Sequence, residues 1–236
     1  MQIALFVILI AVVIVAAIFS SIKARKRREA LAKWAADNGL AFSVGNDYTF
    51  DERFGRFAIL CRGDQRYAYN IASGVYRGRE ICGFDYHYQT YSTDSKGRRT
   101  THHHYFSAVL LDSGLPMRPM LIRPEGLFDK VTEFFGYDDI DFESAAFSKA
   151  FYVKCEDRKW AFDVIQQSTM EFLLASPRLT LEMNNRLIIA SNGSRLFDPA
   201  QFEAAIQIIE GVLDRLPGYL LRELKSASSS SDNSST

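Results

Sequence analysis

Residues 3–19 of this 236-residue chain contain no charged, polar, glycine or proline residue; they are built from Ile, Leu, Val, Ala and Phe alone. As a helix such a run extends ~25 Å, close to the hydrocarbon thickness of a bilayer. Five basic residues follow within six positions: Lys23, Arg25, Lys26, Arg27 and Arg28. A secretory signal carries its charge ahead of the apolar core and ends that core at a small-residue cleavage site. Here the charge comes after the core, and Ser20-Ser21 is a poor cleavage site, so an uncleaved anchor is the preferred expectation. Positive charge is retained on the cytoplasmic side. The expected arrangement is a single-pass anchor over residues 1–21 in the cytoplasmic (inner) membrane, with everything after it in the cytoplasm.

The soluble part is long enough for one large or two small domains, and 18 Phe and 11 Tyr supply an ample core. The formal charge of +0 hides a division: without the five membrane-proximal cations, 23 basic residues face 28 acidic ones. A mildly acidic domain argues against a nucleic-acid partner. The basic cluster instead suits anionic lipid head groups. Cys61, Cys82 and Cys155 are widely spaced and form no Cys-x-x-Cys pair, consistent with a reducing compartment and with three small packed residues.

Residues 22–39 read as a basic juxtamembrane helix. It has Leu31, Trp34 and Ala35 on one face, ends at Asn38-Gly39, and has nothing in its sequence to prevent direct continuation from the span. Residues 40–146 read as a strand-rich antiparallel region, with extended stretches at 57–61, 67–72 and 79–91 punctuated by glycines. The clearest hairpin joins 79–92 to 98–111 around Asp94-Ser95-Lys96-Gly97. With a two-residue loop, Cys82, Phe84, Tyr86 and Tyr88 share a core face with Tyr105, Val109 and Leu111. Asp85, His87 and Gln89 then share the other face with His102 and His104, and His87 lies opposite His104. A bulge at Gly97 shifts this register by one. The first register is preferred because it separates aromatic from polar residues.

Residues 147–225 read as a β-α-β-β-α half. The expected elements are a strand at 151–155, a helix at 156–175, and two strands at 179–183 and 186–190 joined by a type I′ turn at Asn184-Asn185. A final helix follows, capped by Asp198 with Pro199 at its first position and Gln201 completing a capping box. Phe202, Ile206, Ile209, Leu213 and Leu216 form its apolar stripe before Pro217-Gly218. Residues 226–236, rich in Ser, are expected to be disordered. The fold class is thus α+β: a transmembrane helix, an antiparallel strand-rich centre and the β-α-β-β-α half.

The order of Asn70 with Gly74, Phe84-Asp85-Tyr86, Arg123-Pro124-Glu125 and Asp139-Ile140-Asp141-Phe142-Glu143 resembles an uncharacterised family of bacterial single-pass membrane-anchored proteins. The resemblance implies a membrane anchor and a shared domain, with no activity, substrate or cofactor attached. This chain departs from the family pattern at Thr101-His102-His103-His104-Tyr105, where polar Thr- or Gln-rich strand residues are expected.

Three groups of residues invite chemistry. His87, His102 and His104 on one hairpin face have the donor type and spacing for Zn²⁺; a solvated face near a turn is the preferred explanation. Asp138, Asp139, Asp141 and Glu143 offer oxygen ligands without the spacing of a Ca²⁺ loop, and a half-buried edge strand explains their alternation with Ile140 and Phe142. Arg123 and Glu125, with Asp85 as a partner for the arginine, are candidate ligand-binding groups, although such a pair more often holds a loop. No linear signature of a hydrolase triad, a phosphate loop, a zinc protease or a dinucleotide site is present. The leading expectation is a binding or scaffolding module with no cofactor, in contact with the bilayer and with a protein partner in or on it. The alternatives are a membrane-tethered metal-dependent hydrolase using the hairpin histidines and a lipid-sensing domain.

Overall fold

The computed structural model describes residues 2–126 and 140–232. In it the apolar run and the basic cluster form one helix, α1 (Gln2–Asp37), 36 residues and about 54 Å long. No glycine or proline interrupts it, so the span and the juxtamembrane helix are continuous. α1 is long and apolar enough to cross a membrane, and none of its most apolar stretch is buried by the other described residues. Leu31, Trp34 and Ala35 are buried against the domain, as their spacing predicts. The helix closes at Gly39, whose φ of +69° lets the Leu40 amide donate to the Ala35 carbonyl at 2.8 Å.

Among the described residues six strands make one antiparallel sheet. β1 (Ala41–Ser43), β2 (Asp64–Tyr76), β3 (Arg79–Thr93) and β4 (Arg99–Pro124) are neighbours in chain order. At 26 residues, β4 is long enough to change partners along its length. Its first half pairs with β3 and its last residues with β5 (Phe151–Cys155), while β6 (Thr180–Ser191) runs along its other side. Both strands of the C-terminal half therefore extend the central sheet, and one core runs through both regions.

The faces of β3 and β4 are clearly divided. Phe84, Tyr86 and Tyr88 join Phe106, Ala108 and Leu110 beneath Phe50 of α2 (Phe50–Phe54) and Phe57, Ile59 and Leu60. Ile81, Val109 and Leu111 on the other face pack with α1 and with α6 (Pro199–Leu213). There Trp34 stacks on Phe202 with ring centroids 5.7 Å apart. α6 carries the capping box and the Pro199 start that its sequence predicts.

Four local expectations are corrected. Residues 58–61 form a 3-10 turn rather than an extended segment. The helix expected over 156–175 is two, α4 (Arg158–Val164) and α5 (Gln167–Ala175), after a short α3 (Ala145–Ala150). The break at Ile165 and Gln166 lets Trp160 and Val164 on one piece and Met170 and Leu173 on the other all reach the core. The hairpin expected at Asn184-Asn185 is instead the single strand β6. Asn185, at φ +55°, lies at a register shift opposite Met117. A type I′ turn and a bulge of the G1 kind both use positive φ, and both let the buried positions change parity from Leu181 and Met183 to Ile188 and Ala190. Finally, α7 (Gly218–Asp232) starts after the Pro217 break, buries Leu220 and Leu224, and takes in part of the segment expected to be disordered.

Glu182 of β6 is 3 % exposed and accepts the Ala58 amide at 3.1 Å. Burial pushes its carboxyl up from an ordinary 4.5 to about 7. A folded-state value above the unfolded one means that this group's contribution to stability is full below about pH 4.5 and is lost as pH rises through about 7. Glu182→Gln keeps an acceptor for Ala58 and removes the titration. The natural chain's denaturation midpoint should fall between pH 5 and pH 8, and the variant should lose the part of that fall due to Glu182.

Candidate functional site

Asp85 sits in the middle of β3, on the α1 side of the sheet, where apolar core gives way to polar surface. It is 0 % exposed. Register places it opposite Ser107 of β4 and Tyr69 of β2. Ser107 Oγ donates to Oδ1 at 2.5 Å and Asn70 Nδ2 to Oδ2 at 2.8 Å. Asn70 reaches it because β2 is irregular between Tyr69 and Ala72, with Asn70 at φ +48°.

The cation that answers this carboxylate comes from α1. Arg27 Nη1 donates to Oδ2 at 2.6 Å and Nη2 to Oδ1 at 2.7 Å, a bidentate pair. Its Nε and Nη2 also donate to the Phe197 carbonyl, at 2.9 and 2.5 Å. The Phe197 amide in turn donates to Ser107 Oγ at 2.8 Å, and the Ser107 amide to the Arg195 carbonyl at 2.9 Å. One network thus ties the helix bearing the apolar run to β2, β3, β4 and the segment before α6. Asp85 therefore pairs with Arg27 and not with Arg123.

The other sequence candidates lie apart. Within the basic cluster, Arg25 pairs with Glu29 along the helix at 2.8 Å, and Lys23, Lys26 and Arg28 are exposed. Arg123 lies over the Tyr152 ring at 4.1 Å, while Glu125 is exposed and its amide donates to the Ala150 carbonyl. Asp138 and Asp139 fall outside the described residues. Asp141 and Glu143 are exposed while Ile140 and Phe142 are buried, the alternation expected, and the Ile140 amide donates to the Val153 carbonyl of β5.

The histidine face is corrected. Thr93 pairs with Arg99 across a turn in which Gly97 adopts φ +79°, so the register is shifted by one from the preferred expectation. His87 lies opposite Tyr105, and His104 opposite Tyr88 on the other face. His104 stacks on Tyr88 with its Nε2 against Thr90, and His102 Nε2 meets Ser92. The residue near His87 is His103. His87 Nδ1 donates to the Gln65 carbonyl at 3.2 Å, which leaves its Nε2 to accept from His103 Nδ1 at 3.0 Å. At 2 % exposure, burial pulls the His87 imidazole below its ordinary value. Among the described residues no three His, Cys, Asp or Glu side chains converge on a common point. All three cysteines are free thiols. Burial pushes Cys82 up to about 12 and Cys155 to about 11, far from thiolate reactivity.

Beside the ion pair a cleft of about 670 Å³ opens between α1 at Lys23 and Arg27, β4 at His103 and Tyr105, and a loop at Ser194 and Arg195. Asn192 Oδ1 shapes the loop by accepting the Ser194 and Arg195 amides at 3.1 and 2.9 Å. Among the described residues that line it there is no carboxylate.

No protein-family model and no curated protein matches the chain. Among solved structures, the crystal structure of the mycobacterial trehalose monomycolate transport factor A, TtfA, is similar, with a TM-score of 0.56 at 13 % identity over 80 % of this chain and 94 % of that one. At that identity the likeness is one of fold: an α+β domain with an antiparallel sheet and flanking helices.

Proposed function

We propose that this chain is a membrane-anchored binding or scaffolding module whose domain stands in the cytoplasm against the inner membrane. The observation that carries this reading is the Arg27–Asp85 pair. It fixes the sheet to the helix that bears the apolar run, 8 residues or about 12 Å beyond Phe19 along the axis. A flexible tether would only confine such a domain. A clamp sets which surface faces the bilayer, a useful property for a module that presents a partner or ligand there. The positive charge after the span supports the cytoplasmic side. The similar structure is that of a transport factor, which supports a binding role over a catalytic one; its cargo says nothing of this chain's ligand. The membrane-anchored family that the central motifs resemble supports the same placement. Within those motifs, Asn70 and Asp85 act as parts of the clamp.

A reporter enzyme active only in the periplasm, fused after Thr236, should give no activity, and a cytoplasm-active reporter at the same point full activity. Strong periplasmic signal would overturn the orientation.

A further inference from the structure

We propose that the cleft at the foot of α1 binds a phosphate group, presented there by an anionic lipid head group. Lys23 of α1 and Arg195 of the 193–196 loop both line it, and among the described residues neither enters an ion pair. Two like charges brought to one concave site without a carboxylate form a site of positive potential that selects an anion. Arg27 forms part of the wall, but its guanidinium is taken up by Asp85, so the charge offered to a ligand is that of Lys23 and Arg195. Ser194 and the Tyr105 and His103 side chains add polar groups around them. A tetrahedral oxyanion uses such a set well: the guanidinium as a fork, the ammonium as a mobile donor, and hydroxyls on the remaining oxygens.

The source follows from position. Lys23 lies four residues, about 6 Å, beyond Phe19 along α1, at the level of lipid phosphates if residues 3–19 fill the hydrocarbon. Tyr105, 44 % exposed at the cleft, suits the same layer. This choice of source rests on the membrane reading above; the phosphate site itself does not.

The test titrates the full chain in neutral-detergent micelles with phosphatidylglycerol, phosphatidylcholine or inorganic phosphate, and reads occupancy by native mass spectrometry. Natural chain and a Lys23→Gln/Arg195→Gln double variant are compared. Both positions are exposed, and equal denaturation midpoints verify that the variant folds. Saturable one-to-one occupancy by phosphatidylglycerol is expected, stronger than that by phosphatidylcholine. Loss of two charge-assisted contacts should raise its half-saturating concentration roughly tenfold or more. Saturable occupancy by inorganic phosphate with the same sensitivity to the variant supports the phosphate site; if phosphatidylglycerol fails alongside it, the lipid source is overturned and a free anion takes its place. No saturable occupancy by either anion, or occupancy equal in the two chains, overturns the site. The phosphate titration needs no bilayer, so its failure and that of the reporter fusion are separate results.

Discussion

Asp85→Ala should lower the free energy of unfolding by about 3–5 kcal/mol, the range for removing one member of a buried ion pair. The penalty arises less from the lost attraction than from what remains. Arg27 would keep only the Phe197 carbonyl and Ser107 Oγ, and Asn70 Nδ2 and Ser107 Oγ would lose their acceptor. Arg27→Met should be comparably harmful, because it strands a fully buried carboxylate. Combining Arg27→Met with Asp85→Leu removes both charges and should cost much less than the two single changes together, since replacing a whole buried pair by apolar groups is often close to neutral. Denaturant midpoints of the four proteins give the coupling. Additive single effects would show that the two side chains do not meet.

Ile209→Ala is the second large effect, expected to destabilise by about 2–5 kcal/mol. Ile209 is 0 % exposed in the middle of α6, the helix that joins α1 to the sheet through Phe202 and Trp34. α5 and α7 also pack into this core, so the hole cannot readily be filled by one neighbour's movement. A midpoint unmoved by the substitution would show that this face of α6 is not core.

α6 was legible because three independent local signals agree there: an Asp198–Gln201 capping box, Pro199 at the first position, and a stripe at spacings of four and three. α1 and the strand-rich centre were legible for similar reasons. The hairpin register was not, since it turned on one residue, Gly97, whose positive φ inserts a bulge and exchanges the faces of every later position on β4. The single strand β6 was hidden for a related reason: Asn185 in the left-handed region serves a bulge as well as a turn, and only the long partner β4 decides between them.

The central feature of the site left a trace that was readable. Arg27 lies four residues before Leu31 and seven before Trp34, on the stripe that packs against the domain. Read as one of five cations, it belongs to the membrane surface. Read by helical phase, it must face the sheet, where a charge needs a buried partner. Asp85, between the core residues Phe84 and Tyr86 but on the opposite face, is that partner. The pairing itself, across 58 residues of chain, depends on the register that sequence left open.

Rigid attachment of the domain to α1 is the claim on which the functional reading rests. Its most direct test is a distance distribution by pulsed electron resonance between spin labels at Arg28→Cys on α1 and Glu52→Cys on α2, both exposed positions, with Cys61, Cys82 and Cys155 replaced by alanine and the protein in a lipid bilayer. One narrow distance is expected in the otherwise natural chain, and a broad distribution once Arg27→Ala is added. A broad distribution with Arg27 and Asp85 intact would contradict the clamp and leave the domain on a flexible tether.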